Sequence, residues 1–243
     1  MDLVDERITE RIRRKKEVNL VISLIIATLG IAALHTTFFV ETGISALRYL
    51  TVNGTLFTTI GSVAFAIVNV YEHVTTREVD SAAVYYLRLS CAVTEASIMV
   101  VILIQWLAGD ASGLNKWVLL SMHVVIPVLT VSSFVTNDPP IGKVPALRRL
   151  GCTSFITLYA IVILCLFCSK TLPMDMIPYP FVDWRVVPAW QIACSVAVVY
   201  LIAFAIASAL CRDASPIAQA DTPPPVAHVA HAAPRNPYIP WTI

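Results

Sequence analysis

Apolar residues run almost unbroken through six stretches, about 18–40, 49–70, 86–108, 117–136, 150–169 and 186–211. Each has the length of roughly 20 residues that an α-helix needs to cross the hydrocarbon core of a bilayer. A helix satisfies its backbone hydrogen bonds within one segment, as lipid requires, so the pattern predicts an all-α integral membrane bundle of six transmembrane helices. The few polar positions inside these stretches can be read one by one. Thr51, Thr55, Thr58 and Ser62 recur at helical steps, which places their hydroxyls on one face of the second helix, directed at protein rather than lipid. Gly54 and Gly61 fit close approach by a neighbouring helix. Glu95 is a charge deep in the third stretch, near the midplane, and His123 lies near the start of the fourth.

The flanks differ in character. Residues 1–17 mix acidic and basic side chains at helical spacing, predicting a basic cytoplasmic segment that extends the first helix and can meet anionic headgroups. Residues 212–243 carry three consecutive prolines at 223–225 and no periodic apolar face, predicting a disordered cytoplasmic tail. Between them, 18–211 is the transmembrane domain. The first apolar run has no small-residue cleavage site after it, so the first helix is expected to stay.

Composition excludes a soluble domain: 57% of residues are apolar, 14% are charged, and mean hydropathy is +0.74, against about a quarter charged in soluble proteins. Basic residues are retained on the cytoplasmic side. With six spans, 13 of the 17 lysines and arginines fall on the side of the N-terminus and 4 on the other, which predicts both termini in the cytoplasm, with the plasma membrane or endoplasmic reticulum as host. The net charge of +1 is uninformative about partners; membrane lipids are expected and nucleic acid is not. The six cysteines sit in spans or at their ends, where cysteine acts as a small hydrophobe. Cys165 and Cys168 have the spacing of a metal pair but lie in one helix without a second pair, so neither metal nor cofactor is expected. Cys152 and Cys211, at the cytoplasmic boundary, are candidates for palmitoylation.

The candidate chemistry gathers at the outer end. Thr51 falls in the first turn of the second helix, and His123 roughly two turns, about 9 Å, below the start of the fourth. Ionisable groups inside membranes usually face the bundle interior. Pro127, four residues after His123, cannot bond that carbonyl and should kink the helix there. A threonine hydroxyl needs an adjacent base to become a nucleophile, a task that suits imidazole. No carboxylate on the outer half completes a triad, and His35 is a second candidate base or a core histidine. The last outer loop is stiffened by Pro173, Pro178, Pro180 and Pro188; Tyr179 and Phe181 either form a lid over the bundle mouth or anchor at the interface.

Tyr49-Leu50-Thr51, Met122-His123 with Pro127, and Tyr179-Pro180-Phe181 together resemble the androgen-induced protein family of multi-pass membrane hydrolases and its microbial six-helix relatives. The resemblance covers roughly residues 45–185. It implies a membrane-embedded hydrolase of fatty-acid esters of hydroxy fatty acids, with Thr51 as nucleophile, His123 as base, Thr55, Tyr179 and Phe181 contacting substrate, and no cofactor. Where many relatives have Asn or Asp before the leucine of the second helix, this chain has Thr55 before Leu56, so Thr51 and Thr55 both stay open as partners of the histidine. Two other classes compete. A haem carrier would use His35 and His123 as axial ligands; a transporter, receptor or scaffold would line a ligand cavity with the polar stripe, Glu95 and Gln105.

Overall fold

A computed structural model describes residues 3–75, 79, 81–107, 116–138, 144–168, 179, 183 and 185–211. The tail at 212–243 and Phe181 of the last loop therefore lie outside the described residues. All secondary structure among the described residues is helical. α1 (Leu3–Thr36) runs into a π-turn (Thr37–Glu41), and a 3-10 turn (Gly43–Arg48) leads to α2 (Leu50–Thr75). Next come α3 (Ser81–Leu107), α4 (Lys116–Leu120), a second π-turn (Ser121–Val125) and α5 (Ile126–Asn137). α6 (Ala146–Gly151), α7 (Ser154–Cys168) and α8 (Ala189–Leu210) complete the order.

Among the described residues, five helical segments are long and apolar enough to cross a membrane: Arg13–Glu41, Leu50–Thr75, Ala82–Ile104, Trp117–Asn137 and Ala189–Leu210. The sequence pattern predicts a sixth at 150–169, of which the described residues form α7 as far as Cys168. α7 has 15 residues, a length of about 22 Å against a hydrocarbon core of roughly 30 Å. Its start is delayed by a turn at Cys152 and Thr153, where the Thr153 hydroxyl donates to the Leu150 carbonyl at 2.7 Å and so competes with helical bonding.

The surface is apolar and the interior partly polar, the inverse of a water-soluble bundle. Val21, Leu24, Ile31, Ile60, Ile67 and Leu201 are exposed, while Thr55, Thr58, Thr94 and Glu95 are fully buried. Lipid is the solvent that such a surface suits. α1 packs along α2, α3 packs against α2, α5 and α8, and α7 touches α2 and α3. Two glycines set the α2–α3 approach: a Cβ at Gly54 would lie 2.3 Å from Ile98 Cδ1, and one at Gly61 would lie 2.8 Å from Cys91 Sγ.

Two apolar clusters bracket the bundle. Ala33, Leu34, Ala46, Val52, Val118 and Met122 fill the end where α2 begins. Tyr85, Leu89, Val93, Phe134, Ile156 and Ala203 belong to the cluster at the other end. Cys152 and Cys211 join that second cluster, and burial pushes the Cys211 thiol up to about 11. This corrects the reading of both as acylation sites, because a buried, protonated thiol is a poor nucleophile.

Candidate functional site

Thr51 and Tyr179 share one cavity of about 400 Å³, walled by α2, α3, α7 and α8. Its lining is almost wholly apolar, with Ile98, Ile102, Ala160, Leu164 and Val196 among its walls. Its polar end is a cluster of hydroxyls at the start of α2. The Leu50 N–H donates to Tyr179 Oη at 2.9 Å, satisfying a first-turn amide that has no partner within its own helix. The Tyr159 and Thr51 hydroxyls lie close to that of Tyr179. Tyr159, from α7, donates its own proton to the Arg48 carbonyl. Burial pushes the Tyr179 phenol up to about 12, so it remains a neutral donor near neutral pH.

The segment before α2 holds this cluster in place. The Asn53 amide donates to the Tyr49 carbonyl at 2.9 Å, and the Arg48 guanidinium lies 4.9 Å from the Tyr49 ring centroid while also donating to its hydroxyl at 2.9 Å. Tyr49 meets Tyr179 edge-on, with centroids 6.3 Å apart. Tyr179 thus contacts the helix through its hydroxyl, a firmer role than the lid or anchor expected from the prolines.

His123 is buried in the π-turn between α4 and α5. Its Nδ1 donates to the Leu119 carbonyl at 2.9 Å, since a carbonyl can only accept. That bond leaves Nε2 as the acceptor of a neutral ring. The disruption expected from Pro127 takes the form of this π-turn: the Ile126 N–H reaches back five residues to the Ser121 carbonyl, immediately before the proline. The π-turn packs against α1, α2 and α3, and Met122 shares the apolar cluster of Val52. The histidine and Thr51 therefore occupy neighbouring layers, but His123 is not among the described residues that line the cavity.

The other candidates separate. Thr55 is fully buried, one turn below Thr51, and its hydroxyl has no hydrogen-bond partner among the described residues. His35 is exposed on α1 with its ring 5.0 Å from that of Phe39; this corrects the reading of it as a core histidine.

Two groups escaped the sequence reading. Tyr159 sits mid-way along an unremarkable apolar helix, and no local signal marks it. Arg88 counts as a loop residue in the charge tally, yet it lies within α3, its Nε 2.8 Å from Asp138 Oδ2, and it donates to Ser133 at 2.8 Å and Asn19 at 3.3 Å. Its place within a long apolar run was a usable signal, because a cation there requires a partner. No family model, curated protein or solved structure matches the chain.

Proposed function

We propose that this protein is a membrane-embedded lipid-ester hydrolase, with Thr51 as nucleophile and His123 as base. The observation that carries the reading is the Thr51 hydroxyl at the polar end of a 400 Å³ apolar cavity. An acyl chain fits such walls at about 0.8 kcal/mol per buried methylene, and its ester group would then lie against Thr51, Tyr159 and Tyr179. The positive end of the α2 dipole favours the negative charge that develops on the ester carbonyl during attack. A fatty-acid ester of a hydroxy fatty acid is the substrate class.

In this reading Thr51 Oγ1 adds to the ester carbonyl as His123 Nε2 accepts its proton. Collapse of the tetrahedral adduct expels the alkoxide, which takes that proton, and leaves the acyl group on Thr51. Water, deprotonated by the same nitrogen, then releases the fatty acid and regenerates the threonine. The Nδ1 bond to Leu119 supports this role by holding the proton away from Nε2. A small inward shift of the π-turn is required, since π-turns often accompany functional sites but His123 stands outside the cavity wall here.

Fluorophosphonate labelling of the wild type, Thr51→Ala and His123→Ala tests activation directly. Wild-type labelling that both changes reduce by about 10³-fold or more is the expected outcome. Retention in Thr51→Ala with loss in Thr55→Ala would move the nucleophile one turn deeper; indifference to all three would end the hydrolase reading. The accompanying topology is six spans with both termini cytoplasmic. Terminal tags probed by protease in sealed membranes would contradict it by appearing on opposite sides.

A further inference from the structure

Glu95 is fully buried in the middle of α3, and both carboxylate oxygens lack a hydrogen-bond donor of normal geometry among the described residues. Antiparallel packing brings α2 over it. Gly54 lies against Thr94 and Ile98, and Gly61 against Leu87 and Cys91, so Thr58, midway between them, faces Glu95 and Cys91. Three hydroxyls in this layer behave unlike their neighbours. Thr59, Ser90, Ser97 and Thr157 donate to the carbonyl four residues back, the usual refuge of a hydroxyl in a membrane helix. Thr55, Thr58 and Thr94, each fully buried, do not, and their oxygens are unpartnered among the described residues.

The layer is therefore rich in oxygen and poor in positive charge. The nearest cation along the helix, Arg88, lies two turns away, about 10 Å, and is held by Asp138, Ser133 and Asn19. We propose that Glu95, with the hydroxyls of Thr55, Thr58 and Thr94, forms a buried site for one small monovalent cation, a proton or an alkali ion. Either neutralises the carboxylate in an apolar setting, and hydroxyl and carboxylate oxygens are the donors that hard cations accept. On one side Cys91, one turn from Glu95, lines a cavity of about 20 Å³ with Ser62, Arg88, Thr130 and Ser133, which is room for about one water molecule. On the other side Ile98 lines the large cavity.

Other titratable groups on elements packed against α3 lie elsewhere. Tyr71, Glu72 and His73 end α2, His123 and Asp138 flank α5, Tyr159 and Cys165 are on α7, and Cys194, Tyr200 and Cys211 are on or beside α8. Tyr85, Tyr86, Arg88 and Cys91 share α3, and among the described residues Cys91 is the titratable group coupled electrostatically to Glu95. The site is separate from Thr51 and independent of ester hydrolysis.

The test uses the full-length protein in membranes and dicyclohexylcarbodiimide, which adds to a protonated carboxyl in apolar surroundings, with the adduct mapped by mass spectrometry. Labelling at Glu95 should change about tenfold or more between about pH 5 and about pH 9, the range in which buried carboxyls titrate, if the ligand is the proton. It should fall by a similar factor when sodium replaces choline at fixed pH if the ligand is an alkali ion. Melting temperature should follow the same variable in the wild type and ignore it in Glu95→Gln, and Thr58→Val should shift the labelling midpoint by about a pH unit or tenfold in sodium. Labelling or melting that is flat in both variables, an identical response from Glu95→Gln, or an unmoved midpoint in Thr58→Val overturns the site.

Discussion

The two ends of the bundle both hold polar groups, and they hold them differently. At the Asp138 end, Arg88 is held on several sides: an ion pair at 2.8 Å, two side-chain hydrogen bonds and the Phe65 ring at 4.0 Å enclose it beside a cavity of only about 20 Å³. At the Thr51 end hydroxyls bonded to backbone gather beside the Arg48 guanidinium, and they face an apolar cavity of about 400 Å³. A charge tied to groups on two other helices, with little room beside it, holds helices together. A cluster of hydroxyls at the end of an apolar cavity is where a ligand can bind, since pockets combine apolar walls with a few placed polar groups.

The sharpest way to break this comparison is at the charged end. Asp138→Ala leaves Arg88 buried without its partner, and losing one member of a buried pair costs about 3–5 kcal/mol. The thermal midpoint in detergent should drop by many degrees, whereas Thr51→Ala should melt close to wild type. Equal destabilisation by the two changes would erase the distinction between a structural end and a ligand-binding end.

Next in size is the cavity itself. Ala160→Phe places a ring among the lining residues and should displace three or four methylenes' worth of acyl chain, about 3 kcal/mol at 0.8 kcal/mol each. The ratio of long-chain to short-chain ester turnover should therefore fall by about 100-fold. A parallel loss for all chain lengths would mean that the space does not hold the acyl group.

The smallest effect is a pH dependence of stability. Burial raises the Asp138 carboxyl from 3.8 to about 6 despite the opposing effect of Arg88, so the folded protein binds this proton more tightly than the unfolded chain. The contribution is fully present below pH 3.8 and is lost as pH rises through about 6, following proton linkage. Asp138→Asn should flatten that part of the profile. A wild-type melting temperature that rises over the same interval would reverse the assignment.

Much of the fold was legible because lipid makes a strict demand on length and polarity. The spans at 18–40, 49–70, 86–108, 117–136 and 186–211 needed only a count of apolar residues, and the Thr51–Thr55–Thr58 face followed from helical periodicity. The late start of α7 was not legible, because the turn at Cys152 and Thr153 depends on a local hydroxyl bond that no hydropathy window registers. Of the candidate residues, Thr51 and Tyr179 line one cavity, and His123 is not among its lining residues. Tyr159 was missed because its partners, Arg48 and Tyr179, are distant in sequence, and long-range pairing leaves no periodic trace. Arg88 was misplaced by treating a span boundary as a loop, which hid a buried cation whose counter-ion comes from the end of another span.

The π-turn at Ser121–Val125 bears on how this helix can be compared with any other. A π-turn accommodates one residue more than the α-helical register around it, so it behaves as a one-residue insertion lodged inside a continuous helix. A helical wheel drawn straight through 117–136 therefore places the residues before it on a face about 100° away from their true one. For an alignment of distant relatives, the correct gap falls inside the helix, beside His123, and not in the loops where gaps are customarily placed.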